Sequence, residues 1–208
     1  SGPYYFGAAM CFLFVLGLFI VRGPLKWWVA IAVLLGLLLS MGRHFEFLNK
    51  LMFDYFPLYS KFRAPSSVLA VTSYFVPILA MLALVEISKK EMTMESFKKK
   101  LIYSVSITGG ICLFFILLGS SFFSFESAND ASYVKNGFST EALISDRQSL
   151  MTSDSIRSLV IILLVAGIVF YYFKNKFSSL VAACLLGAIT LFDLGGVAKR
   201  YVSYDDFV

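Results

Sequence analysis

Six apolar runs, at positions 4–21, 25–41, 68–87, 101–125, 158–173 and 177–194, limit what this chain can fold into. A helix crosses a hydrocarbon layer about 30 Å thick with about 20 apolar residues. Runs of that order fill most of the 208 positions. The predicted class is an all-α integral membrane protein, one domain with about six transmembrane helices. Only 15% of residues are charged, against about a quarter in soluble chains.

The net charge of +5 is not spread evenly. Nine of the 18 basic residues crowd three short connections: Arg22 and Lys26, then Lys89, Lys90, Lys98, Lys99 and Lys100, then Lys174 and Lys176. Short loops rich in Lys and Arg stay on the cytoplasmic side. The expected orientation therefore puts the long loops and both chain ends outside. In such a chain the basic surplus speaks for topology and anionic lipid, with no nucleic acid partner.

The runs carry local marks. Trp27 and Trp28 beside Lys26 suit a membrane interface. Pro77 inside the third run removes a helical hydrogen bond and predicts a kink, with the Thr72 hydroxyl as a candidate partner for the freed carbonyl. Gly109 and Gly110 predict close helix approach in the fourth. Between the fourth and fifth, Leu143, Ile144, Arg147, Leu150 and Met151 follow helical spacing. A short surface helix is expected there, with Asp154 capping a new span behind it.

The stretch RHFEFLNKLMFDYFPLYSKFRAPSS at 43–67 collects most of the groups able to meet a substrate at the membrane surface. Apolar positions Leu48, Leu51, Met52 and Tyr55 against Glu46, Lys50 and Asp54 predict an amphipathic interfacial helix near 45–56. Pro57 stops it, and Ser66 or Ser67 caps the next span. Arg63, with Arg43 and Lys61, is then placed to neutralise a lipid phosphate at a helix N-terminus. Asp54 is a candidate general base. His44, the single histidine, lacks companions for a metal site.

Asp193 closes the apolar run CLLGAITLFDLGG. A carboxylate at membrane depth marks a functional candidate, unless it reaches water or pairs with Lys199 or Arg200. Cys11, Cys112 and Cys184 lie in apolar runs and read as small hydrophobes. No P-loop, dinucleotide fingerprint, serine elbow or zinc spacing is present. No ligand spacing supports a divalent metal or another cofactor.

Three stretches, FPLYSKFRAPSSVLAV, ALISDRQSLMTSDSIRSL and FDLGGVAKRYVSYDDF, resemble in order and spacing those of the YfhO-like bacterial membrane proteins. The resemblance implies a GT-C-type glycosyltransferase fold in the bacterial inner membrane, using a polyprenyl-phosphate-linked sugar on the extracytoplasmic side. It also implies that this chain is part of a longer protein whose main catalytic carboxylate lies ahead of the first run. Only Arg63, and less directly Asp193, carry over as site residues; Asp54 as a base is a reading of the residues alone.

The expected function is thus part of a membrane transferase moving a sugar to a cell-envelope glycopolymer, by a metal-assisted or metal-free route. A transporter or flippase for a lipid-linked or anionic solute would use Pro77 and Asp193 as broken helix and buried carboxylate. A non-catalytic subunit or scaffold would bind a protein partner through its outer loops.

Overall fold

The computed structural model describes residues 4–42, 46–56, 67–127, 130–135 and 139–200. They form eight helices: α1 (Ala8–Ile20), α2 (Leu25–Ser40), α3 (Glu46–Tyr55), α4 (Val68–Lys89), α5 (Met94–Phe122), α6 (Asp130–Lys135), α7 (Thr140–Phe173) and α8 (Ser179–Ala198). No strand occurs among the described residues.

Hydroxyl caps start three of the long helices. Thr93 accepts from the Ser96 N–H, Ser139 from Ala142 and Ser178 from Val181, each satisfying a donor that the first turn leaves unpaired. Helices α4, α5, α7 and α8 are long and apolar enough to cross a membrane. Helices α1 and α2 are apolar but stop at 13 and 16 residues, about 20 and 24 Å at 1.5 Å per residue. The protein is therefore membrane-embedded through four such helices, with two shorter apolar ones among them.

Helix α1 occupies the centre. Phe12, Leu16 and Ile20 are buried with Ala80 and Ile87 of α4, Phe97 and Leu101 of α5, and Val165 and Val169 of α7. A second cluster, Val29 and Val33 with Val76, Leu79 and Ala83, joins α2 to α4. Lipid tails offer apolar side chains no less favourable surroundings, so close fit holds such helices together. Gly17 supplies that fit: a Cβ there would lie 2.8 Å from the Leu79 carbonyl oxygen. Gly36 does the same against the Thr72 hydroxyl. The expected close approach at Gly109–Gly110 is weaker, since Gly109 meets only Leu159 at 3.4 Å and Gly110 meets nothing.

Two further expectations are corrected. The span placed at 158–173 is the second half of one helix of 34 residues, α7, and Asp154 lies inside it. Ser139 is the cap, and Asp154 instead meets Arg157 and Arg200. At about 51 Å, α7 is longer than the hydrocarbon layer is thick. In α4, which continues past Pro77, the candidate partner is what changes: the Thr72 hydroxyl donates to the Val68 carbonyl, not to the Ser73 carbonyl that the proline frees.

The connections alternate between two ends. Arg22 meets Glu91 at 3.7 Å and Lys90 donates to Asn175, so the three short basic connections share one end. Tyr5, Arg157, Asp193 and Arg200 meet at the other.

Candidate functional site

Of the residues singled out by sequence, Arg43, Lys61 and Arg63 lie outside the described residues, as does His44. Asp54 is exposed on α3, among exposed Phe47, Phe53 and Tyr55. Asp193 is the one that the fold draws inward, with 0% of its surface exposed.

Asp193 neither reaches water nor pairs with Lys199 or Arg200. Its Oδ1 accepts from the Tyr5 hydroxyl at 2.7 Å, and its Oδ2 from the Ala8 N–H at 2.7 Å. Ala8 begins α1, so a carboxylate from α8 caps the central helix, where an unpaired N–H and the positive end of the helix dipole both favour negative charge. Gly7 permits it. Its φ of 87° is poorly open to other residues, and a Cβ there would sit 3.3 Å from Oδ2. With an acceptor bond on each oxygen, Asp193 is committed to holding α1 and α8 together.

Arg157 of α7 stands beside this cap. Its Nη2 donates to the Tyr5 hydroxyl at 3.3 Å and lies 3.7 Å from Asp154 and 3.9 Å from Asp193. The guanidinium carbon is 5.5 Å from the centre of the Tyr5 ring. A guanidinium carries five N–H donors, yet Nε is buried without a hydrogen bond, as is Oδ1 of Asp154. The other Asp154 oxygen accepts from Arg200 at 2.8 Å. Arg157 is held in place by loose contacts and keeps donor capacity.

Two apolar spaces adjoin it. A groove of about 380 Å³ between α7 and α8 is lined by Arg157 itself with Val160, Leu164, Ile189 and Phe192. A cavity of about 510 Å³ next to α1 is lined by Tyr5, Cys11, Thr108, Cys112 and Ser158. The arrangement joins a cation of fork geometry to room for an apolar chain.

A second arginine fastens the loop before α7. Arg147 donates to Asp130 Oδ1 at 2.5 Å and Oδ2 at 2.9 Å, and to the Phe125 carbonyl at 2.5 Å. Sequence spacing had placed Arg147 on the apolar side of its helix, and there it reaches the loop. These N–H groups, with that of Ser127, hold the Asp130 carboxyl down at about 2. A lowered carboxylate pKa contributes stability above the unfolded value and loses it as pH falls through the folded one. The strap is therefore expected to hold above about pH 4 and to loosen toward pH 2. Protection of the Ser127 amide from hydrogen exchange, taken relative to the intrinsic rate at each pH, should fall over that window, and Arg147→Ala should show the lowered protection already at pH 7. Equal protection at pH 5 and pH 2 would show that the pair does not restrain the loop.

Tyr5, Arg157 and the Arg147–Asp130 pair escaped sequence reading as site members. Arg157 alone left a signal, a cation at the mouth of the run SLVIILLVAGIV. Among the described residues no three His, Cys, Asp or Glu side chains gather as a metal site. No protein-family model, curated protein or solved structure matches the chain.

Proposed function

We propose that this chain is the membrane part of a transferase that takes a sugar from a polyprenyl-phosphate donor and passes it to a cell-envelope acceptor. The observation that carries this reading is Arg157, a partly buried guanidinium that lines an apolar groove and is held by a single hydrogen bond. A donor of this class has the matching form, an anionic head on a long apolar tail. Arginine forks suit phosphate oxygens, and a cation fixed where charge develops on a leaving phosphate lowers the barrier to transfer. The resemblance to YfhO-like proteins supports the same substrate class and implies a catalytic carboxylate in a segment ahead of this one.

In this reading α1 and α2 complete a six-span GT-C-like unit in the bacterial inner membrane. The connections at 21–24, 90–93 and 174–178 face the cytoplasm. Arg157 and the stretch 43–67, with Arg43, Lys61 and Arg63, face outward. Phosphate binding is the task of the cations. Asp193 holds the frame.

Reconstitution of the full-length protein in vesicles with a labelled polyprenyl-phosphate sugar and a glycopolymer acceptor tests this. Label should move from lipid to polymer. Label that crosses the bilayer still attached to lipid would identify a flippase instead, and label that does neither would leave a binding or scaffold role.

A further inference from the structure

The opposite end of the bundle carries a second groove, which the transfer reading does not use. It lies between α4, α7 and α8, with a volume of about 280 Å³, and Met81, Val85, Ser88, Tyr172, Ala183 and Leu186 are among its lining residues. Its floor is formed by the buried Val169 and Ala182, while Met81, Val85 and Ala183 stand exposed along its walls. The groove is thus open along helices that run through the membrane, and its surface is almost wholly apolar.

The charge around its mouth is predominantly positive. The Lys90 ammonium sits 5.1 Å from the centre of the Tyr172 ring and donates to Asn175. Lys90 and Asn175 both adopt left-handed backbone, φ 53° and 59°, so two tight turns bring the ends of α4 and α7 together here. Lys174 and Lys176 are exposed in the turn that follows Tyr172. This end holds nine basic side chains and three acidic ones, Glu86, Glu91 and Glu95. Each acid already has a cation: Lys89 at 2.8 Å from Glu86, Lys99 at 2.9 Å from Glu95, and Arg22 at 3.7 Å from Glu91. The remaining lysines have no acidic side chain there to neutralise them.

We infer that this groove holds one anionic phospholipid, an acyl chain lying against Val169 and Ala182 and the headgroup phosphate beside Lys90, Lys174 and Lys176. A lipid supplies both features at once. A zwitterionic lipid would fill the apolar groove but bring its own cation to a surface that already has a surplus. Juxtamembrane lysines attract anionic headgroups strongly enough to sort lipids by charge.

Native mass spectrometry of the purified full chain tests the assignment, using phosphatidylglycerol and phosphatidylcholine with identical acyl chains. One phosphatidylglycerol should stay bound, with about tenfold preference over phosphatidylcholine, as expected for removing a repulsive headgroup cation near several lysines. Ala183→Phe should abolish that adduct by filling the groove. Lys174→Gln with Lys176→Gln should bring phosphatidylglycerol close to phosphatidylcholine. Equal retention of the two lipids by the unaltered protein overturns the inference whether or not any variant folds. So does an undiminished adduct in Ala183→Phe, or equally tight binding of soluble glycerophosphoglycerol.

Discussion

Replacing Asp193 with alanine should destabilise the folded chain by about 3–5 kcal/mol, the usual consequence of removing one partner from a buried charged network. The change withdraws the acceptor from two donors, the half-buried Tyr5 hydroxyl and the buried Ala8 N–H, both at 2.7 Å in the unaltered protein, and leaves Ala8 only its longer bond of 3.2 Å to the Tyr5 oxygen. A donor left unpaired in an apolar setting loses its solvation with nothing in return. It also removes the negative charge at the start of α1 and the anion 3.9 Å from Arg157. Because α1 packs on α4, α5 and α7, loosening its first turn reaches the whole bundle. Asp193→Asn should lie between, since the amide oxygen still accepts one of the two bonds while its NH₂ faces a second donor. Reversible unfolding in a mixed detergent series measures both. A loss below about 0.5 kcal/mol for the alanine variant, the range of ordinary surface changes, would mean that the cap is dispensable.

The division between what sequence shows and what it hides follows from range. Apolar run length is local, so the helices α2, α4 and α8 lie close to their expected positions, and the amphipathic α3 at Glu46–Tyr55 is read from nine or ten residues alone. The error at α7 has the same root. The sequence TSDSIRS offers a capping residue before an apolar run, and local reasoning breaks the helix there. Asp154 is instead occupied by Arg157 three residues on and by Arg200, which α8 brings from the far end of the chain. Asp193 was conspicuous as a carboxylate in an apolar run, yet its role depends on Tyr5 and Ala8, 188 and 185 residues away. No periodicity encodes such a pairing. Gly17 was equally silent, because its value lies in the Leu79 carbonyl of another helix.

Arg157→Ala is expected to separate function from stability where Asp193→Ala does not. The guanidinium is held by one hydrogen bond at 3.3 Å and by ion pairs at 3.7 and 3.9 Å. These contacts are long and Asp193 keeps its two hydrogen bonds, so detergent unfolding should shift by less than the loss of about 3–5 kcal/mol expected for Asp193→Ala. Sugar transfer from the lipid phosphate should fall about 10²- to 10³-fold, the effect of deleting one group that stabilises charge at the reacting centre. The loss should appear mainly in kcat if Arg157 meets charge that develops on the departing phosphate. It should appear mainly in KM if it grips the ground-state donor equally well. Arg157→Lys keeps the charge but not the paired donors, and should recover only part of the rate. Transfer at the unaltered rate in the alanine variant would remove Arg157 from the site and return the phosphate to Arg43, Lys61 and Arg63. Full loss of both folding and transfer would place Arg157 with Asp193, as a strut of the outer end of the bundle.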